Sequence, residues 1–161
     1  MRRAYHILDV FTDTPFTGNP LAVVLDSAGL DDARMQAIAR EFNLPETVFV
    51  RDAGDPVNTA RLRIFTPLAE LPFAGHPTVG AAALIAHLRA PEHIRKEELR
   101  VVLEEKVGDV VCLVRAGAGK GVINASFTIP RLPAFIRPLD DAGAIAAALS
   151  LDAREIGRAH V

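Results

Sequence analysis

Residues 5–11 alternate with the period of a strand: Tyr5, Ile7 and Asp9 share one face, His6, Leu8 and Val10 the other. Residues 12–20 are rich in turn formers and end Thr17-Gly18-Asn19-Pro20, so a loop is expected there. Residues 21–25 are continuously apolar and read as a strand. Asp31 then stands where a helix N-cap belongs, with Asp32 in the first turn, where the helix dipole favours negative charge. Met35, Ile38, Ala39 and Phe42 repeat at i, i+3, i+4 and i+7, and Asn43 and Pro45 close the helix. Strands are expected at 47–51 and 58–65; in the second, Ala60, Leu62 and Ile64 alternate with Thr59, Arg61 and Arg63, so one face is wet. Residues 66–75 read as a loop. From about Pro77 to Arg89 the apolar residues go nearly all the way round, which predicts a helix buried on most sides and wrapped by a curved sheet. Strands at 99–103, 109–114 and 121–129 follow. Pro130, Pro133 and Pro138 mark a boundary, and a last helix is expected over 140–149, capped by Asp140 or Asp141.

Composition narrows the classes. Half of the 161 residues are hydrophobic, and 18 Lys plus Arg stand against 20 Asp plus Glu. That balance excludes a polybasic nucleic-acid binder, an acidic tail and a disordered chain. Cys112 is the single cysteine, so neither an intramolecular disulfide framework nor a cysteine-rich zinc module can form. Arg2 and Arg3 resemble a signal-peptide start, but Asp9 and Asp13 break the apolar run. The longest apolar block, 79–88, contains His87 and is too short to span a membrane. The expectation is a soluble, cytoplasmic protein that engages neither nucleic acid nor membrane.

Two segments carry candidate chemistry. In Ala74-Gly75-His76-Pro77-Thr78-Val79-Gly80, Pro77 suits a first helical position, and Gly75 lets backbone approach a ligand. The free N–H groups of the next turn suit a carboxylate, with Gly80 leaving room, and His76 exchanges protons near neutral pH. The alternative is a tight strand-to-helix turn that His76 merely caps, and the residues alone leave both open. Glu46 stands between Pro45 and an apolar strand. Buried, it would carry a raised pKa suited to general acid–base work; an exposed turn glutamate is the commoner outcome for its type. Other signals are weak. Gly117, Gly119, Lys120 and Gly121 fail the spacing of a phosphate loop, and the histidines lack a close ligand pair, so no metal is expected. Cys112 alternates with apolar residues and reads as inert core.

Three stretches, in order, resemble one known family: Asp9-Val10-Phe11-Thr12 with Phe16-Thr17-Gly18-Asn19-Pro20-Leu21-Ala22-Val23; residues 39–49 through Asn43-Leu44-Pro45-Glu46-Thr47-Val48-Phe49; and Phe65-Thr66-Pro67 through Gly80. The chain resembles the phenazine-biosynthesis (PhzF-like) isomerases, which share the diaminopimelate epimerase fold. The resemblance implies an α+β architecture: a curved, mostly antiparallel sheet or barrel around a central apolar helix at about 77–89. It implies Glu46 as the proton-shuttling acid/base, and Asn19, Gly75, His76 and Thr78 as substrate-binding residues. The related epimerases carry a catalytic cysteine in the turn where Ala74 stands here, so a two-cysteine mechanism is excluded. No cofactor is implied. The substrate is implied to be a small carboxylate of the trans-2,3-dihydro-3-hydroxyanthranilate type.

Such proteins have two pseudo-symmetric domains with the site between them. The expectation is that residues 1–130 form the N-terminal epimerase-like domain and 131–154 a linker and the first helix of a truncated second one. The six residues Ile156-Gly157-Arg158-Ala159-His160-Val161 match the translation of a common short-read sequencing adapter, so 155–161 are expected to be non-native. On this reading the parent gene encodes an isomerase and the chain as written is an inactive fragment. The alternative is a carboxylate-binding module, or a half-length domain that rebuilds the cleft as a homodimer.

Overall fold

The computed structural model describes residues 2–119, 121–129, 131–132, 134 and 142–156. The expected caps Asp140 and Asp141, the boundary prolines 130, 133 and 138, Lys120 and residues 157–161 lie outside these. The chain divides into two compact units, Met1–Arg131 and Leu132–Val161.

The first unit holds one curled mixed sheet, a half-barrel. Its strands are β1 (Tyr5–Val10), β2 (Asn19–Val24), β3 (Glu46–Arg51), β4 (Ala60–Phe65), β5 (Glu70–Leu71), β6 (Leu99–Glu105), β7 (Gly108–Ala116) and β8 (Ile123–Phe127). The order is β1-β2-β3-β4-β6-β7-β8, with β5 on β4. β2–β3 and β4–β6 are parallel and the other five pairings antiparallel. Parallel neighbours need a crossover. Helix α1 (Asp32–Phe42) supplies the first; α2 (Gly75–Arg89) and the short α3 (Pro91–Ile94) supply the second.

The continuous apolar run of β2 has a physical reason: both faces are covered. Leu21 and Val23, Val48 and Val50, and Leu62 and Ile64 pack in the core that includes α2. The opposite face, with Val24, Phe49 and Phe65, packs on Met35 and Ala39 of α1. α1 begins as expected, the Asp31 carboxylate accepting from the Arg34 N–H at 2.8 Å. It ends where Asn43 turns left-handed, φ 50°, and donates its N–H to the Ala39 carbonyl. α2 buries residues 76–78, 80–82 and 84–86 against the larger core.

Two boundary shifts and one packing finding bear on the site. β2 starts at Asn19, because Asn19 and Pro20 pair with Val10 and Asp9. Pro20 is tolerated as the strand's second residue, where its missing N–H costs little. α2 starts at Gly75 behind Ala74, so Pro77 is its third residue, still within the turn whose N–H groups have no intrahelical partner. Gly80 does not leave room for a carboxylate: a Cβ there would lie 2.6 Å from Leu21 Cδ2 and 2.9 Å from Val10 Cγ2. Its bareness lets α2 seat on β1 and β2.

In the second unit α4 (Ala142–Leu149) ends at Ser150, φ 58°, and the Leu151 N–H donates to the Ala146 carbonyl. A 3₁₀ turn (Ala153–Glu155) follows, closed by a reciprocal cap between Asp152 and Glu155. Leu149 is exposed.

Candidate active site

Period-two geometry decides which side chains meet. Asn19 shares a face with Leu21 and Val23, and Glu46 with Val48 and Val50, which is the face toward α2. β2 and β3 are parallel, so both residues stand at the same end of the sheet. β6 runs parallel to β4, which opposes β3, so its last residue, Glu105, comes to that end too. It continues the inward phase of Val101 and Leu103. The start of α2 lies among these strand ends.

His76 joins the set. Its Nδ1 is 3.3 Å from Asn19 Nδ2, and its Nε2 is 3.4 Å from Glu46 Oε2. The Asn19 amide nitrogen donates to Nδ1 in the tautomer that carries its proton on Nε2, toward Glu46, whereas the Pro20 backbone, whose only polar group is an accepting carbonyl, favours the proton on Nδ1. Neither Nε2 nor Oε2 completes a hydrogen bond, although both atoms are buried. Their separation is that of an ion pair, but their alignment is not that of a hydrogen bond. Burial holds the imidazole below its ordinary value; the Glu46 carboxylate and the Pro20 backbone pull the other way and lose. The ring is therefore neutral at neutral pH and serves as a polar donor rather than a cation.

Ala74 has no side-chain hydrogen bond to offer the helix start, so the first-turn N–H groups of Gly75 and His76 have no side-chain cap. An uncapped helix N-terminus attracts an anion. The fold does not demand glycine at 75: a Cβ there would make ordinary contact with the Phe127 ring, 3.6 Å away.

Thr78 has a different place from the other sequence-derived candidates. It is fully buried, its N–H donates to the Ala74 carbonyl at 3.2 Å, and its hydroxyl lies 2.7 Å from Glu105 Oε1. Both its polar groups are engaged inside the fold rather than offered to a ligand. The structure thus brings Asn19, Glu46, Gly75 and His76 together and sets Thr78 behind them.

Phe11 and Glu105 were not singled out from the sequence. The Phe11 ring lies 6.4 Å from that of His76 and is 77 % exposed. Its φ is 63°, and that of Phe16 in the same loop is 67°. Bulky residues rarely adopt this conformation, and such strain gathers at functional sites. No sequence signal marks it. Glu105 was legible in principle from the alternation Val101, Leu103, Glu105. Cys112 is buried, its thiol pushed up to about 12 by burial and then by Glu105, and it is inert.

Among the described residues no cluster of His, Cys, Asp or Glu has the geometry to hold a metal ion, and no helix is long and apolar enough to cross a membrane. An open groove of about 1180 Å³ runs over α2 between β1 and β8, past Val10, Val79 and Ile123; neither Glu46 nor His76 lines it.

The profile of the phenazine biosynthesis-like protein family matches residues 8–160. An uncharacterized isomerase from Mesorhizobium japonicum is 49% identical over 155 residues, covering 96% of this chain and 49% of that protein. The trans-2,3-dihydro-3-hydroxyanthranilate isomerase of Pseudomonas fluorescens is 44% identical over 130 residues, covering 78% of this chain and 42% of that one. Among solved structures, a predicted epimerase from Pseudomonas aeruginosa superposes with a TM-score of 0.76 at 38% identity, over 96% of this chain and 52% of that one. The chain thus spans about half the length of the curated relatives it matches. Its half-barrel is of the epimerase-like kind, and by sequence and fold alike it belongs to the phenazine biosynthesis-like protein family.

Proposed function

We propose that this chain supplies half of a cofactor-independent isomerase, with Glu46 as the acid/base that takes a proton from one carbon of a small carboxylate and returns it to another. The observation that carries this reading is the pair of buried, unsatisfied atoms, Glu46 Oε2 and His76 Nε2, facing each other 3.4 Å apart beside an uncapped helix start. Buried polar atoms without partners are rare, and a substrate that enters between them gives both a partner.

The roles follow from the chemistry of each group. The Glu46 carboxylate is an acceptor placed to remove a proton from carbon, and once protonated it is the donor that gives the proton back. Neutral His76 donates from Nε2 to the substrate oxygen on which negative charge builds, with its ring steadied by Asn19. The N–H groups at Gly75 and His76 hold the substrate carboxylate. The start of α2 carries Gly75 and His76, while β2 and β3 carry Asn19 and Glu46. In this reading residues 1–130 are one of two pseudo-symmetric domains, and the second supplies the opposite wall of the cleft.

The name of the Pseudomonas fluorescens relative supports a ring carboxylate of the dihydrohydroxyanthranilate type as substrate. The test is to incubate a protein carrying this sequence at the full length of its relatives with trans-2,3-dihydro-3-hydroxyanthranilate and follow loss of the starting diene by absorbance. Turnover without added cofactor supports the reading. Saturable binding without turnover points instead to a carboxylate-binding module.

A further inference from the structure

We propose that Glu105 is a positioning residue, a buried neutral acid that donates its proton to Thr78 and so fixes the turn presenting Gly75 and His76. The inference rests on the reading of that turn as the substrate-holding element.

Proton counting carries it. Thr78 Oγ is 2.8 Å from the Ala74 carbonyl and 2.7 Å from Glu105 Oε1. A hydroxyl has one proton. The carbonyl can only accept, so a Thr78 proton given to Ala74 leaves the hydroxyl as an acceptor toward Glu105. The contact to Glu105 is then a hydrogen bond only if the carboxyl brings the proton. Ala74 is the residue before Gly75, so the chain Glu105–Thr78–Ala74 ties the end of β6 to the backbone at the start of α2.

Burial points the same way. Glu105 is 8% exposed, and its Oε2 is buried without a partner. A bare carbonyl oxygen is tolerable there; a shared negative charge is far more costly. The neighbouring groups give no relief. From its own strand, Glu104 turns to Arg61, and Lys106 places its Nζ on Glu70. From β7, Cys112 is a neutral thiol. From α2, His76 is held neutral and faces Glu46 from β3. Among the described residues no cation pairs with Glu105. Burial accordingly raises its titration from 4.5 to about 7; the Thr78 hydroxyl opposes this only when it turns to donate to the ionised carboxylate.

Ionised Glu105 reverses the arrangement. It draws the Thr78 proton away from Ala74 and places a buried negative charge behind the anion-holding turn.

The experiment is a pH titration of this chain by NMR. The Glu105 side-chain carboxyl carbon is assigned by difference against Glu105→Gln, and the His76 ring nitrogens are followed in parallel. The expected result is that Glu105 keeps its proton through mildly acidic pH and titrates near 7, and that the His76 resonances move in step with it. That second step vanishes in Glu105→Gln, whose amide is a permanent neutral donor. It is lost in Thr78→Val and kept in Thr78→Ser. A Glu105 carboxyl that titrates in the ordinary carboxylate range overturns the proposal, as does a His76 step that survives Thr78→Val. Should Glu105→Gln not fold, the Thr78→Val and Thr78→Ser pair still decides. These readouts need no substrate, so an isomerase assay that fails while they succeed rejects only the reaction, and the converse rejects only Glu105.

Discussion

Replacing Gly80 by alanine sets two known effects against each other, and the structure says which wins. Alanine is the better helix former by about 1 kcal/mol, and a buried methyl adds about 0.8 kcal/mol. Against this, the new Cβ would lie 2.6 Å from Leu21 Cδ2 and 2.9 Å from Val10 Cγ2. Carbon atoms pack best at about 3.5–4.0 Å, so two overlaps of roughly 1 Å must be relieved. Leu21, the nearer partner, is 0% exposed and enclosed in the core, and Val10 is 8% exposed. Overpacking of a full core costs about 1–3 kcal/mol and occasionally more, and two simultaneous clashes sit at the upper end. The expected net is a loss of about 1–2 kcal/mol, or roughly 3–6 °C in Tm for a chain of this size. Ala83→Gly on the same helix, half-buried and off this contact, is the control and should lose about 1 kcal/mol. Urea denaturation of both variants provides the measurement. Gly80→Ala at or above wild-type stability would refute the argument that bareness at 80 seats α2 on β1 and β2.

Two further predictions concern the same sheet. Thr47 is fully buried and its hydroxyl has no hydrogen-bond partner; the near-isosteric Thr47→Val should therefore raise stability by about 1 kcal/mol, read as a higher urea midpoint. Glu104 accepts from the Gly54 and Asp55 N–H groups and from Arg61, and the two backbone donors, ahead of Arg61, hold its carboxyl down at about 2. The unfolded chain takes up this proton near 4.5, so the contribution is complete above that pH and is lost as pH falls toward 2. Glu104→Gln should flatten that part of the acid limb of a stability–pH curve, and an unchanged limb would count against the assignment.

What was legible in the sequence depended on range. α1 was fully legible, because Asp31, the 3.6 period and Asn43 are local signals that the structure uses as written. β5 and α3 were not, since two and four residues carry no period. Shifts of one or two residues mattered most. β3 begins at Glu46 rather than Thr47, and that single residue puts the carboxylate on the inward phase of Val48 and Val50. The turn-forming neighbours of Asn19 predict a loop, yet pairing with Val10 makes it strand. The meeting of Glu46 with His76 joins residues 30 positions apart, and no periodicity encodes it; only the family resemblance pointed to it. The inward role of Thr78 depends on Glu105, which sits in a run, Glu104-Glu105-Lys106, that looks like an exposed turn. The left-handed backbone at Phe11 and Phe16 had no signal at all, because phenylalanine is the wrong residue for it.

In the proposed reaction Glu46 moves the proton. The direct measurement is deuterium incorporation from solvent into the substrate carbon, followed by NMR, for the family-length protein carrying this sequence and its Glu46→Gln variant. Loss of a positioned acid/base costs about 10²–10⁴-fold or more. The expected result is incorporation with wild type and loss on at least that scale in the variant, with the variant still folded and still binding the carboxylate. Incorporation at an undiminished rate in Glu46→Gln would contradict it and move the proton transfer to another group.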